Sequence, residues 1–398
     1  MAFGVGRQGS FGVGMVEGLI ANVAKFCVVS ATLTAAICCF AQLFGRLTRL
    51  VDEPDGVRKL HTSATPLVGG LAVLIPSLCV SLFYLMAVHP APFIAIAIAA
   101  AMFMLLVGAA DDRLDLPPLW RVTAFVVITF GALAAEPLFV LHTLHLGAAE
   151  GGVTVVLGAL AVPVTGLMII GFLNAANMAD GMNGQLLGSI VTWCAFIAWH
   201  LGAELGIPFI AVMASATAAL MFNLRGRLFS GSSGAYAGSL LVGLGAISAY
   251  RISNGAMPAA LPALWFWLPV LDCVRLLITR AIERQSPFAA DRNHFHHMLM
   301  ETMGAREALA VYLTLLAMPG FAAELDLGLG LGVLAVCVLV YGAIVAKRQI
   351  LRLAVKPRST TIISPTLAPA VARARAGWPR ARMMRMRRQD PKESELTG

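Results

Sequence analysis

Residues 91–112 read APFIAIAIAAAMFMLLVGAADD, in which twenty uncharged residues are followed by two adjacent aspartates, Asp111 and Asp112. About 20 consecutive apolar residues form a helix long enough to cross the hydrocarbon core of a bilayer. The stretch therefore predicts a membrane span that carries two carboxylates at one end. Because ionisable groups beside an apolar span are costly to keep there, the pair is a candidate functional site.

The same apolar character extends over the whole chain. Of its 398 residues, 59% are hydrophobic and 13% are charged, against about 45–50% and about 25% in ordinary soluble domains. This composition excludes a soluble globular protein, a disordered chain and a disulfide-rich secreted scaffold. The seven cysteines lie in or beside apolar stretches without metal-ligand spacing, so we interpret them as small core residues.

Apolar runs of span length recur along the sequence and predict an all-α, polytopic membrane protein with about eleven transmembrane helices. The Gly-rich N-terminus lacks a small-residue cleavage site, so we expect its apolar segment to be retained as the first span and not removed as a signal peptide. The predicted spans lie near residues 19–43, 66–88, 91–110, 120–141, 153–173, 186–202, 205–222, 236–253, 258–279, 307–322 and 327–346.

Lys and Arg residues are concentrated on one side of the predicted bundle. If each loop is numbered by the span it follows, the odd-numbered loops and the C-terminal tail, together with Arg275 at the end of the ninth span, carry 26 of the 29. The positive-inside rule therefore predicts a cytoplasmic C-terminus, cytoplasmic odd-numbered loops and an N-terminus outside. We expect residues 1–346 to form a single transmembrane domain with functional cytoplasmic loops, and residues 347–398 to form a basic, disordered cytoplasmic tail near anionic headgroups.

Loop one carries the cationic group Arg58, Lys59 and His61, followed by Gly69 and Gly70 at the start of the second span. Cations at the membrane surface could hold a lipid phosphate or a diphosphate, and glycines allow a close approach of backbone or ligand. Ordinary positive-inside flanking and helix packing explain the same residues without a ligand, and this alternative stays open.

Loop three begins with Asp111 and Asp112, whose side chains point about 100° apart on a helix. One carboxylate could therefore face a metal ion while the other faces a second reactant. A solvated helix cap is the alternative, although aspartates at a helix C-terminus oppose the helix dipole.

Loop five is rich in amides and glycines, and Asn174, Asn177, Asp180 and Asn183 follow an apolar span directly. Carboxamides can bind a uracil edge, sugar hydroxyls or, through oxygen, a hard cation. A polar turn between two helices is the alternative. Loop seven contains SGSSG at residues 230–234, which could contact phosphate through backbone N–H groups but, read alone, favours a flexible linker.

Loop nine contains an acid, a cation and three imidazoles within seven residues, namely Asp291, Arg292, His294, His296 and His297. Zinc sites usually draw Cys and His ligands from more than one segment, and no cysteine is near. Phosphate binding therefore fits this Arg-containing setting better than metal ligation, and a structural surface cluster is the remaining alternative.

Taken together and in order, these strings resemble the polyprenyl-phosphate N-acetylhexosamine-1-phosphate transferases, glycosyltransferase family 4, in the branch that starts O-antigen and enterobacterial common antigen. The resemblance extends from about residue 50 to residue 300. It implies transfer of N-acetylhexosamine 1-phosphate, by default GlcNAc 1-phosphate, from a UDP-sugar to undecaprenyl phosphate, with release of UMP. This would be the first membrane step of a cell-surface polysaccharide, at the cytoplasmic face of a bacterial inner membrane.

The resemblance also implies a Mg²⁺ or Mn²⁺ cofactor. It implies that the protein contacts membrane lipids and no nucleic acid, and it is compatible with a homodimer. The implied metal ligands are Asp112 and Asn177. The implied catalytic residues are Asp111, Asp112, Asp180 and His294. The implied substrate-binding residues are Arg58, Lys59, Asn174, Asn183, Asp291, Arg292, His296 and His297.

Two departures from the family's pattern matter most, beside a smaller one at Leu67, where relatives often carry Arg. Asn183 stands where most members have the second Asp of an Asp-Gly-(Leu/Ile)-Asp-Gly string, and Ser232 stands where they have a metal-binding Asp. A hydroxyl is a weaker Mg²⁺ ligand than a carboxylate. A catalytically impaired homologue that binds lipid phosphate or nucleotide is therefore the first alternative, and a lipid-linked sugar transporter is the second.

Overall fold

A computed structural model of the protein describes residues 8–53, 64–88, 90–147, 152–286 and 293–355. Fourteen α-helices and two short β-hairpins form within these ranges. The predicted tail from residue 356 onward lies outside the described residues, as do four of the predicted substrate-binding residues, Arg58, Lys59, Asp291 and Arg292.

The helices and strands follow one another in the order in which they are numbered. The helices are α1 (Gln8–Cys39), α2 (Ala41–Thr48), α3 (Gly69–Ala87), α4 (Pro92–Leu114), α5 (Pro118–Ala135), α6 (Ala161–Ala179), α7 (Gln185–Leu205), α8 (Ile207–Asn223), α9 (Gly231–Ile252), α10 (Ala260–Trp265), α11 (Trp267–Ile282), α12 (Phe295–Thr302), α13 (Ala305–Leu325) and α14 (Leu327–Val355). The strands are β1 (Val51–Asp52), β2 (Thr65–Pro66), β3 (Thr143–Leu146) and β4 (Val153–Val156).

Each predicted span overlaps a helix or a broken pair of helices, but the predicted fifth span, 153–173, begins in β4 (Val153–Val156), eight residues before α6 begins at Ala161. Eight helices of the described chain are long and apolar enough to cross a membrane, and α1 with α2, bent by 69°, could supply a ninth. The other two predicted spans fall on α8, which has 17 residues, and on α10 and α11, which meet at Phe266. The prediction of an all-α polytopic membrane protein is thereby confirmed, while the number of crossings and the orientation stay predictions.

Helix α9 lies inside the bundle, and almost all of its residues are buried. It is rich in Gly, Ala and Ser, so α3, α4, α6 and α7 pack closely against it. Two of its buried serine hydroxyls are satisfied within the helix, since Ser239 and Ser248 donate to the carbonyls of Ala235 and Leu244. A helix surrounded by apolar neighbours has to satisfy its polar groups in this way.

The two ends of α9 are tied to opposite faces of the bundle. At its C-terminal end, the Tyr250 hydroxyl accepts from the N–H of His145 at 2.8 Å and donates to the carbonyl of Thr143 at 3.1 Å. These bonds anchor the hairpin in which Thr143 pairs with Val156. The N-terminal end of α9 lies at the other face, where α4 and α6 end. We call this the site face, because the predicted site residues of the described chain lie there.

Candidate active site

Asp112, in the last turn of α4, caps the N-terminus of α9. Its Oδ1 accepts the backbone N–H of Ser232 at 2.7 Å, and its Oδ2 accepts that of Ser233 at 3.1 Å. Gly231 has a φ of +71°, and a Cβ atom built on it would lie 2.5 Å from Oδ2 of Asp112. A helix N-terminus offers free N–H donors and favours negative charge. Asp112 is therefore a cap of a neighbouring helix and not a solvated cap of its own.

Asp111 faces a different set of partners and is buried. The Tyr236 hydroxyl donates to its Oδ2 at 2.6 Å, and the N–H of Leu116 donates to its Oδ1 at 3.0 Å. A guanidinium nitrogen of Arg121 lies 3.6 Å from Oδ2. The two adjacent carboxylates are thus held apart by separate donors, and Asp111 is fixed in place by α5 and α9.

Asp180 ends α6 beside Asp112. Its N–H donates to the carbonyl of Asn177 at 3.2 Å, which closes the last turn of the helix. Burial and the nearby Asp112 carboxylate raise the pKa of Asp180 to about 7. Two partly desolvated carboxylates within electrostatic range of each other resist carrying two negative charges unless a cation lies with them.

The sequence predicts that loop seven is a flexible linker. That interpretation was wrong, because the loop is hydrogen-bonded to the segment that leads into α3. The N–H of Phe229 donates to the carbonyl of Pro66 at 2.8 Å, and the N–H of Gly70 donates to that of Ser230 at 2.9 Å. A Cβ atom built on Gly70 would lie 2.1 Å from the backbone nitrogen of Gly234. The glycines of the second span therefore let loop seven pack against α3, a contact that the loop sequence alone does not reveal.

Loops five and seven are joined by Asn223, a residue that the sequence analysis did not select. The N–H of Gly184 donates to the Asn223 side-chain oxygen, and the Asn223 amide donates to the carbonyl of Leu228 at 2.8 Å. Asn183 lies close by, with its amide nitrogen 3.8 Å from a Cβ atom built on Gly226. A buried amide at the end of the apolar α8 was the signal that could have identified Asn223.

One histidine of loop nine, His296, lies against loop five, and the other two contact its ring. Nε2 of His296 would be 1.9 Å from a Cβ atom built on Gly181, so the imidazole lies directly against that glycine. Ring centroids of His296 are 5.4 Å from His294 and 4.2 Å from His297. Burial, and then the neighbouring imidazoles, lowers the pKa of His296 well below its usual value, so this ring is neutral near pH 7.

Two further predicted site residues, Asn174 and Asn177, lie in the last turns of α6. Asn174 donates its amide to the carbonyl of Ile170 in its own helix at 2.9 Å, and Asn177 lies one turn further along α6. Asp112, Asp180 and His296 are brought together, with His294 and His297 in ring contact with His296.

The donor chemistry fits a hard divalent cation better than zinc. Among the described residues, no group of three or more His, Cys, Asp or Glu side chains is arranged to hold a metal. The carboxylates of Asp112 and Asp180 do lie within electrostatic range of each other. Mg²⁺ is commonly held by one or two carboxylates together with waters and substrate phosphates, and a site of this composition needs a phosphate ligand to be complete.

Comparison with known proteins assigns the chain to a family. Residues 94–250 match the model described as Glycosyl transferase family 4. A Yersinia pestis protein named undecaprenyl-phosphate alpha-N-acetylglucosaminyl 1-phosphate transferase is 31% identical over 281 residues, which cover 67% of this chain and 74% of that protein. An Escherichia coli K12 protein of the same name is 30% identical over 300 residues, covering 70% and 76%. The chain belongs to glycosyl transferase family 4, and its apolar helices make it a multi-pass membrane protein.

Proposed function

We propose that the protein transfers N-acetylglucosamine 1-phosphate from UDP-GlcNAc to undecaprenyl phosphate and releases UMP. Relatives named undecaprenyl-phosphate alpha-N-acetylglucosaminyl 1-phosphate transferase match 67% and 70% of the chain, which supports the transferred group and the lipid acceptor in this proposal. The observation that carries the proposal is the pair of carboxylates, Asp112 and Asp180, beside the loop-nine imidazoles at the ends of apolar helices. A lipid phosphate and a water-soluble nucleotide sugar can meet at such a boundary, and we place it at the cytoplasmic face of a bacterial inner membrane.

In the proposed reaction an oxygen of the lipid phosphate bonds to the β-phosphorus of the donor. The bond from that phosphorus to the bridging oxygen breaks, and UMP leaves with the oxygen. A phosphate monoester is largely ionised near pH 7, since its second pKa is about 6. The acceptor therefore needs orientation more than proton removal, and Asp111, fixed by two hydrogen bonds and the Arg121 ion pair, is the proposed orienting group.

Positioning and charge neutralisation supply most of the catalysis in phosphoryl transfer. A Mg²⁺ or Mn²⁺ ion, held by Asp112 with Asn177 and next to Asp180, would offset charge on the diphosphate and on the departing UMP. His294, His296 and His297 are proposed to hold the diphosphate. The proposed nucleotide and sugar contacts are Asn174 and Asn183. Outside the described residues, Arg58, Lys59 and Arg292 are proposed to bind phosphate, and Asp291 is a further proposed substrate contact.

Release of UMP tests the proposed function. Purified protein in detergent is incubated with undecaprenyl phosphate, Mg²⁺ and, in separate reactions, UDP-GlcNAc, UDP-GalNAc and other UDP-N-acetylhexosamines. We expect UMP with UDP-GlcNAc, and none when undecaprenyl phosphate is omitted. If none of the UDP-N-acetylhexosamines gives UMP, the proposed function is wrong.

Ser232 favours one further candidate, a catalytically impaired homologue, because a serine occupies the position of a metal-binding aspartate in the family that the sequence resembles. Ser232→Asp places a third carboxylate beside Asp112. If two carboxylates and the substrate suffice, the Mg²⁺ concentration that gives half the maximal rate should fall about tenfold while the maximal rate changes little, since added ligand charge mainly raises affinity.

The matched control for this change is Ser232→Asn, which has the same shape without the charge and should leave the Mg²⁺ dependence unaltered. Both variants are measured by UMP release across a Mg²⁺ titration. A large rise in maximal rate in Ser232→Asp would show instead that the native chain is impaired at its metal site.

The hydrogen bond that Tyr236 donates to Asp111 provides a test of the proposed orienting role of Asp111. Tyr236→Phe removes the 2.6 Å hydrogen bond to the Asp111 carboxylate, and a bond to a charged group contributes about 1.5–3 kcal/mol. We expect the rate of UMP release to fall about tenfold. Tyr250→Phe, the same change at the other end of α9, should keep the native rate. Equal rates in the two variants would contradict an orienting role for Asp111.

A further inference from the structure

Asp272 is a buried carboxylate that the proposed reaction does not use directly. It lies on α11, within the predicted ninth span, and is 7% exposed. A charge in such a place is costly unless hydrogen bonds and an opposite charge satisfy it. The groups that satisfy Asp272 therefore indicate what the carboxylate holds in place.

One oxygen of Asp272 is bound by neighbours within the bundle. Oδ1 accepts from Nε and Nη2 of Arg275 at 3.1 and 2.6 Å, and from the Tyr341 hydroxyl of α14 at 2.8 Å. Nε of Arg275 also donates to the Tyr341 oxygen at 2.6 Å. The guanidinium and the phenol together fix the position of the carboxylate.

The other oxygen faces the histidine loop. Oδ2 accepts the N–H of Phe295 at 3.1 Å and lies 3.7 Å from Nδ1 of His294. Nη2 of Arg275 donates to the carbonyl of Asn293 at 2.5 Å. The ion pair of Asp272 and Arg275 therefore holds the backbone on both sides of His294, and its carboxylate faces the imidazole.

From His294 the contacts continue into the candidate active site. Its ring is nearly parallel to that of His296, at an interplanar angle of 16°, and His296 lies against Gly181, next to Asp180. The Phe295 ring, between the two histidines in sequence, packs against Tyr341 with centroids 4.7 Å apart. A displacement of the loop at Phe295 would therefore move both imidazoles and disrupt the contact of His296 with Gly181.

We infer that Asp272, with Arg275 and Tyr341, is a positioning group that fixes His294 in the orientation in which it binds the donor diphosphate. The inference rests on the proposed function, since it concerns the same site. Asp272 makes no contact with substrate and acts through His294, as a carboxylate that orients a functional imidazole does at other sites.

Kinetic coupling between Asp272 and His294 tests this inference. Asp272→Asn and His294→Ala should each lower kcat/KM for UDP-GlcNAc about tenfold to 100-fold, the usual range for an orienting group and the residue it orients. The double variant should be no slower than His294→Ala alone, because Asp272 reaches the reaction only through His294. Losses that multiply in the double variant would overturn the inference.

Glu301→Gln is the matched control. It removes a carboxylate of α12 that pairs with Arg348 of α14, and so it breaks a charge contact between elements that Asp272 also joins. Because Glu301 is half exposed, its ion pair contributes little, and we expect kcat/KM to stay within about twofold of the native value. A loss as large as that of Asp272→Asn would contradict a specific role for Asp272.

If Asp272→Asn does not elute as a folded monodisperse species, Tyr341→Phe replaces it in the same cycle. That variant removes one hydrogen bond to Oδ1, so the expected loss is smaller, about threefold to tenfold. Activity of the native protein separates the two hypotheses. Native protein without UMP release defeats the proposed function and the inference with it, whereas native release together with full kcat/KM in Asp272→Asn defeats the inference alone.

Discussion

Asp112→Asn is expected to lower the rate of sugar-phosphate transfer at least about 100-fold. The amide keeps the size of the side chain and can still accept an N–H bond from the start of α9, but it carries no charge. Metal-assisted charge stabilisation lowers the activation free energy of such reactions by several kcal/mol. Each loss of about 1.4 kcal/mol of this stabilisation slows the reaction tenfold. The measurement is the initial rate of UMP release at saturating substrates and Mg²⁺.

Asp115→Asn is the matched control for this change. Asp115 is an exposed carboxylate three residues further along the chain, with a φ of +48° that asparagine also adopts readily. We expect this variant to keep the native rate. If Asp112→Asn also kept it, or if both variants lost it equally, the charge of Asp112 would have no special part in the reaction.

Of the substitutions proposed for this protein, Gly70→Ala is expected to lower the free energy of unfolding the most. The added Cβ atom would lie 2.1 Å from the nitrogen and 2.3 Å from the Cα of Gly234, and neither backbone atom can move without separating α3 from α9. Overpacking of this kind costs about 1–3 kcal/mol and occasionally more. We expect the thermal unfolding midpoint in detergent to fall by at least about 5 °C.

The same substitution at Gly171 is the control for Gly70. Gly171 lies within α6, and a Cβ atom built on it meets no atom within 4 Å in the described structure. Because alanine has the higher helix propensity, Gly171→Ala should leave the midpoint unchanged or raise it. Equal midpoints for Gly70→Ala and Gly171→Ala would contradict close contact between α3 and α9.

The apolar runs predicted every helix of span length in the described chain, because burial in a bilayer demands long uncharged segments whatever their neighbours are. Their limits were less predictable. The predicted ninth span divides at Phe266, and the predicted fifth span begins in a strand, eight residues before α6 begins at Ala161. Such breaks depend on how neighbouring helices pack, and hydropathy along one segment does not record packing.

Residues of the candidate site could be selected from the sequence by their type, but the groups that they contact could not be predicted from it. Asp112 was recognised as an unusual carboxylate, yet the N–H groups that it accepts lie 120 and 121 residues away, in Ser232 and Ser233. Asp272 was overlooked because a single carboxylate inside a predicted span has no neighbouring motif. Its meaning comes from the Phe295 N–H and the His294 ring, which reach it from another segment.

Mass spectrometry of the lipid product tests the central claim most directly. Native protein and Asp112→Asn are incubated with undecaprenyl phosphate, UDP-GlcNAc and Mg²⁺. The amount of lipid product in the extract is then compared with the amount of UMP released. We expect undecaprenyl diphosphate carrying one GlcNAc, in amounts equal to UMP, from the native protein and almost none from the variant. A lipid product that forms equally well with Asp112→Asn, or UMP without any lipid-linked sugar, would contradict a transferase centred on these carboxylates.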